Sequence, residues 1–310
     1  MSDLISAALI VSSDGVMQRV QQDRPLFEQY SELKLEKKMP VSCGNYQKPP
    51  QDLQLCTINP SADGPRVLVY GDSHAQHLYP WFDAHAQSRV DFFVSVGCPP
   101  APGFNRIGRG FRCREYVDKA LARAESPDYS TVIVAGNWGN GMDQVPSGLC
   151  ATDREGCGSN GPAPRAALVK ANVDAWSRLL AQGKRLIIID QSPVAGFNVF
   201  NTTVRRRFLG LPVAEKFEPI RPSGAGDERY IDSVMSAFLD GTKPVVLRLG
   251  PLFCQQNLCD TVDSATKLPI LIDTSHFSAK WIREHGYGLS AYVKNDLSKT
   301  VISAEILPRS

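Results

Sequence analysis

Two short segments carry side chains suited to nucleophilic acyl chemistry: Gly71-Asp72-Ser73-His74 and, far downstream, Asp273-Thr274-Ser275-His276. A serine hydroxyl is a poor nucleophile until a base takes its proton, and an imidazole serves that purpose when a carboxylate holds its tautomer. The three-residue spacing of Asp273 and His276 puts both side chains on one side of a turn. Ser73 is therefore expected to act as nucleophile, His276 as base and Asp273 as the group that orients it. A lone histidine is ordinarily structural; here the accompanying aspartate and the Gly-Asp-Ser-His turn favour catalysis. Asp72 is read mainly as a brace for the turn and His74 as a residue lining the site. His77 and His85 fall on the helical stretch that follows, and His285 is read as structural.

These residues need elements that bring them together. Val67 to Tyr70 is a branched and aromatic run closed by glycine, which suits a buried strand, and His74 to Gln87 has helix-forming composition. Ser73 then sits where a strand feeds a helix, with the first helical N–H groups aimed near it. Further short apolar runs at Val90 to Val96, Thr131 to Ala135, Leu186 to Ile189 and Val245 to Leu247 alternate with helical stretches. Those are Cys113 to Ala124, Arg165 to Gln182 and Asp227 to Asp240. Such alternation predicts an α/β fold with a parallel sheet and helices on both faces. Ligands of such folds lie outside the carboxyl ends of the strands. The segments Gly97-Cys98-Pro99-Pro100 and Gly136-Asn137-Trp138-Gly139-Asn140 end two of these strands and should reach the crevice of Ser73.

Composition narrows the function classes. The chain has 310 residues, and 34 Lys+Arg against 32 Asp+Glu give a net charge of +2. That balance argues against a dedicated nucleic-acid binder, and no apolar run reaches the roughly 20 residues that span a bilayer. Eight cysteines fall in order as Cys43 and Cys56, Cys98 and Cys113, Cys150 and Cys157, Cys254 and Cys259. No C-x-x-C pair occurs and no cysteine has ligand spacing to a histidine, so no metal site is expected. Pairing of sequence neighbours is the expected arrangement out of about 105 formal connectivities, and it implies an oxidising compartment. Residues 1–60, broken by Pro25, Pro40, Pro49, Pro50 and Pro60 with a charged helical turn at Glu32 to Lys38, read as an arm wrapped on a catalytic domain of residues 61–310.

Gly71-Asp72-Ser73-His74 near one end and Asp273-x-x-His276 near the other resemble the first and last signature blocks of the SGNH (GDSL-like) hydrolases. The flanking sequence is similar to the extracytoplasmic SGNH domain fused behind the membrane domain of bacterial type 3 O-acyltransferases, which acetylate surface polysaccharides. The resemblance covers roughly residues 40–300 and implies a three-layer α/β/α, flavodoxin-like sheet with an N-terminal arm. It assigns Gly97 and Asn137 to an oxyanion hole beside the Ser73 N–H; otherwise a glycine after a strand is a turn and Asn137 or Asn140 a helix cap. Leu4 to Val11 is apolar but short, with Asp3 before it, and does not read as a signal peptide. Ser12 to Arg19 resembles the segment leaving the last membrane helix of the fused enzymes, so a multi-helix membrane domain is expected upstream.

The implied function is transfer of an acetyl group, through a serine acyl-enzyme, to a hydroxyl of a surface polysaccharide such as lipopolysaccharide O-antigen. The implied setting is the periplasmic side of the inner membrane, with the membrane domain relaying the acetyl group, no cofactor, no nucleic-acid partner and a monomeric fragment. A carbohydrate esterase and an inactive glycan-binding module are the competing readings. Asp72, His74 and Trp138 are candidate substrate contacts. Trp138 is read as a sugar-stacking face or as a core residue. Arg205-Arg206-Arg207 reads as a solvated face or a site for an acidic glycan or lipid headgroup.

Overall fold

The computed structural model describes residues 24–35, 39–40, 43, 54–107, 112–139, 148–151, 162–220, 229–238 and 243–286. The elements in chain order are α1 (Arg24–Leu35), β1 (Cys56–Ile58), β2 (Arg66–Gly71), α2 (Ser73–Gln76), α3 (Tyr79–His85), β3 (Val90–Val94) and β4 (Phe104–Arg106). There follow α4 (Cys113–Glu125), β5 (Tyr129–Ala135), β6 (Leu149–Ala151), α5 (Arg165–Ala181), β7 (Arg185–Ile189), α6 (Val199–Phe208) and β8 (Lys216–Phe217). The chain continues through α7 (Tyr230–Ser236), β9 (Val245–Leu247), β10 (Cys254–Gln255), β11 (Leu258–Asp260) and α8 (Ala279–His285).

The main sheet has the order β1-β3-β2-β5-β7-β9, parallel throughout except for β1, which pairs antiparallel with β3. Alternate residues of each strand enter different cores, as the pleat requires. Val67, Val69, Ile133 and Ile187 pack with Phe82 of α3 and Trp281 of α8. Leu68, Tyr70, Val132, Val134 and Ile188 pack with Val117 of α4, Trp176 of α5 and Val234 of α7. A sheet apolar on both faces needs a helical layer on each, since a buried Val, Leu, Ile or Phe contributes about 1.5–3 kcal/mol. The α/β/α sandwich expected from the alternating pattern is therefore the fold.

The strand positions agree with the sequence reading within two residues. The helix expected over residues 74–87 is instead two short helices, α2 and α3, with Pro80 at the start of the second. Proline lacks the N–H that a continuous helix would need there. In the arm, Tyr30 and Leu33 of α1 pack with Phe200 of α6 and Leu268, and Phe27 meets Phe208 edge-on at 5.8 Å. Cys43–Cys56, Cys98–Cys113 and Cys254–Cys259 form disulfides as neighbour pairing predicts. Cys150 is also disulfide-bonded, and its expected partner Cys157 lies outside the described residues. No helix among the described residues is long and apolar enough to cross a membrane.

Candidate active site

The serine turn is built by close approach. Gly71 aligns with Val94 of β3 on one side and Ala135 of β5 on the other, in the middle of the sheet. A Cβ on Gly71 would lie 1.7 Å from the Ala135 carbonyl oxygen, and its φ is +151°. Only glycine lets β2 end there and pass straight into the turn. Beneath it the buried Tyr116 hydroxyl of α4 accepts the Gly71 N–H at 2.9 Å and lies 2.7 and 2.8 Å from the Gly71 and Phe93 carbonyls. Burial pushes this phenol well above its ordinary pKa, outweighing the Gly71 hydrogen bond, so it stays a neutral donor.

Asp72 caps α2 by accepting the His74 N–H on Oδ1 at 2.8 Å, and its Oδ2 accepts the Asn137 N–H at 2.8 Å. One buried carboxylate thereby locks the serine turn to the end of β5. Ser73 itself is partly exposed. Gly97 has φ +84° within a turn closed by the Cys98 N–H donating to Ser95 O at 3.0 Å, a conformation that suits glycine. Its carbonyl accepts from Arg106 Nη1 at 2.9 Å. Ser73, Gly97 and Asn137 thus follow the carboxyl ends of three adjacent strands.

The second half of the site is a turn from Asp273 to His276. Asp273 Oδ1 accepts the N–H groups of Ser275 and His276, each at 2.8 Å, while Oδ2 lies 2.7 Å from His276 Nδ1. His276 Nε2 lies 2.8 Å from Ser73 Oγ, closing a Ser–His–Asp chain across the molecule. Burial alone would raise the Asp273 pKa. The His276 hydrogen bond and charge, with the two backbone donors, overcome it and hold the carboxyl well below the usual range. Asp273 is therefore ionised at neutral pH.

Residues 190–199 hold that turn in place. Ser192 Oγ donates to Ser275 O, Ala195 N–H to Thr274 O at 2.8 Å, and Val199 N–H to Asp273 O at 3.1 Å. Gln191 Oε1 accepts the Gly139 N–H at 2.6 Å, connecting the same segment to the loop bearing Asn137. Neither Gln191, Ser192 nor Tyr116 stood out in the sequence, because a hydroxyl or amide that orders backbone has no fixed spacing to the groups it orders.

The three candidate substrate contacts are enclosed, which corrects the expectation that they face the substrate. Trp138 is 1% exposed, its indole N–H donates to Ile189 O at 2.9 Å, and its ring stacks on Tyr230 at 6.2 Å. Its indole finds a partner inside the fold, so the core alternative holds. Asp72 is 2% exposed with each carboxylate oxygen engaged by a backbone N–H. His74 is 2% exposed; its ring lies 4.5 Å from that of His276 and 5.1 Å from that of His77. His285 lies 3.0 Å from Trp281 O and 3.3 Å from Asp263, as a structural histidine should, and Asn140 lies outside the described residues. Among the described residues no group of three or more potential ligands forms a metal site.

A parallel sheet between two helical layers, with a Gly-Asp-Ser turn facing an Asp-x-x-His turn at its carboxyl edge, defines an SGNH-type α/β/α domain. The chain belongs to the family of SGNH domains fused to AT3 domains, matching it over residues 42–285. Among solved structures it is similar to the periplasmic domain of a lipopolysaccharide acetyltransferase from Salmonella ser. Paratyphi A. The identity is 12% and the TM-score 0.53, over 75% of this chain and 85% of that one. Among curated proteins, no sequence matches significantly.

Proposed function

We propose that this domain is a serine-dependent O-acetyltransferase acting on a carbohydrate hydroxyl at the periplasmic side of the membrane, beside an AT3 membrane domain that delivers the acetyl group. The observation that carries the reading is the 2.8 Å contact of Ser73 Oγ with His276 Nε2, backed by the 2.7 Å contact of Nδ1 with Asp273. The structural likeness to a lipopolysaccharide acetyltransferase domain supports a surface polysaccharide, such as lipopolysaccharide O-antigen, as acceptor.

In the first half-reaction His276 Nε2 takes the Ser73 proton as Oγ attacks the acyl carbonyl. The carbonyl π electrons move to oxygen, and the Ser73 and Gly97 N–H groups with Asn137 stabilise the oxyanion. Each such donor is worth roughly 2.7–4 kcal/mol in acyl transfer. Collapse expels the donor's leaving group, which receives the proton from His276. In the second half a sugar hydroxyl loses its proton to His276 and attacks the Ser73 ester, and Ser73 Oγ leaves with the proton returned. The ion pair with Asp273 stabilises the imidazolium formed at each stage, and no cofactor enters the scheme. The oxidising periplasm agrees with the disulfides.

The test supplies an activated acetyl ester with and without an oligosaccharide acceptor to the wild-type protein and Ser73→Ala. The reading expects acetylated sugar from the wild type and none from the variant. Acetate release without any sugar ester identifies a carbohydrate esterase instead. Equal behaviour of the two proteins identifies a binding module.

A further inference from the structure

A second polar cluster sits on the same edge of the sheet and takes no part in the scheme above. Gly71, Ala135, Ile189 and Leu247 are in register across β2, β5, β7 and β9, so Asp72, Gly136, Asp190 and Arg248 are the next residues of four neighbouring strands. Strand spacing puts Asp190 and Arg248 roughly 10 and 14 Å from the serine turn along that edge. Asp190 is 5% exposed. Its Oδ2 accepts from Arg229 Nη1 at 2.6 Å and from Arg248 Nη1 at 3.0 Å. Asp232 accepts from Arg229 Nε at 3.2 Å and from Arg248 Nη2 at 2.6 Å.

These four contacts leave both guanidinium groups oriented but under-used. Each arginine has five N–H donors and spends two, so about three remain on each. The arginine side chains are 49% and 42% exposed, whereas Asp190 beneath them is enclosed. Asp232 is 31% exposed beside them, so water meets two oriented guanidinium forks and one carboxylate edge. Such a surface selects oxyanions, which accept two parallel N–H bonds from a guanidinium. The cluster is also tied to the site: the Trp138 indole next to Asn137 donates to Ile189 O and stacks on Tyr230, which directly follows Arg229.

We propose that Arg229 and Arg248, set by Asp190 and Asp232, form an acceptor subsite for an oxyanion-bearing sugar unit, a uronate carboxylate or a sugar phosphate, while a neighbouring unit presents its hydroxyl at Ser73. This rests on the transferase reading for its purpose, but not for its chemistry. Burial pushes Asp190 up to about 6, with Arg229 and the Gln191 N–H opposing the rise and Asp232 adding to it. Neutralising Asp190 leaves two arginines facing Asp232 alone, so affinity for an oxyanion should rise as pH falls from about 7.5 to about 5.5.

The experiment is calorimetric titration of the full chain with tetragalacturonate, with a phosphorylated sugar and with a neutral galactose tetramer, alongside hydrolysis of p-nitrophenyl acetate. Tighter binding of at least one charged sugar is expected, and which one identifies the oxyanion. Arg248→Gln should weaken that binding about tenfold or more while ester hydrolysis stays within about twofold. Arg248→Lys keeps the charge but not the fork and should lose most of the affinity too, which covers the case in which the glutamine variant misfolds. Equal affinity for charged and neutral sugars, or full affinity in Arg248→Lys, overturns the subsite. Failure of Ser73→Ala to abolish ester hydrolysis would overturn the transferase reading and leave the binding result standing.

Discussion

The serine turn and the histidine turn are built in opposite ways. Ser73 follows a central strand fixed by register on both sides, by a glycine pressed against Ala135 and by a buried tyrosine hydroxyl. His276 sits on an irregular turn whose shape depends on Asp273 and on hydrogen bonds from residues 192–199. The first half is part of the core, so disturbing it disturbs folding. The second is a hydrogen-bonded attachment, so disturbing it should change chemistry before it changes stability. Ser73 is thereby fixed by the sheet, and His276 is positioned against it through hydrogen bonds from a segment anchored in the core by Ala195 and Val199.

That contrast is open to attack at several points. Asp273→Asn keeps the volume of the turn but favours the wrong imidazole tautomer, and should lower kcat on the order of 10⁴-fold with a smaller loss of Tm than Gly71→Ala. A comparable loss of thermal stability would show the histidine turn to be core after all. Gly71→Ala forces a Cβ into the Ala135 carbonyl and should cost about 3 kcal/mol or more by denaturant titration. A cost under about 1 kcal/mol would mean that the strands part easily.

The aspartates of the two clusters also differ in sign. Asp273 is held below the usual range, so its contribution to stability is present above the ordinary carboxylate pKa and is lost as pH falls through its own lower value. Asp190 is raised from 3.8 to about 6, so the native state binds its proton more tightly and stability declines as pH rises between those values. The decline amounts to roughly 3 kcal/mol at most. Asp190→Asn should flatten the stability profile between about pH 4 and 6, and an unchanged slope would remove Asp190 as its source. The smallest effect is expected for Ser192→Ala, which loses one hydrogen bond to Ser275 O and should cost about 1 kcal/mol while raising KM or lowering kcat severalfold.

What could be read from the sequence follows the same division. The strands were legible because buried runs such as Val67 to Tyr70 and Leu186 to Ile189 are short, branched and bounded by turn-forming residues. Ser73, Asp273 and His276 were legible because their types and local spacing belong to one chemistry. Trp138 was ambiguous, since an indole serves a core and a sugar face equally well and only its partner, Ile189 O, decides. The Asp190, Arg229, Asp232 and Arg248 cluster was invisible, because its members lie on three separate elements: β7 and β9 register brings Asp190 beside Arg248, and the start of α7 adds Arg229 and Asp232. The break between α2 and α3 was readable from Pro80 but was masked by the helix-forming residues around it.

The central claim is that Ser73 becomes acylated through His276, and intact-mass analysis after brief exposure to an activated acetyl ester tests it most directly. The account predicts one acetyl group per chain, mapped to the peptide containing Ser73, absent in Ser73→Ala and greatly slowed in His276→Ala. An acetyl group on another residue, or acetylation at the same rate in all three proteins, would contradict it.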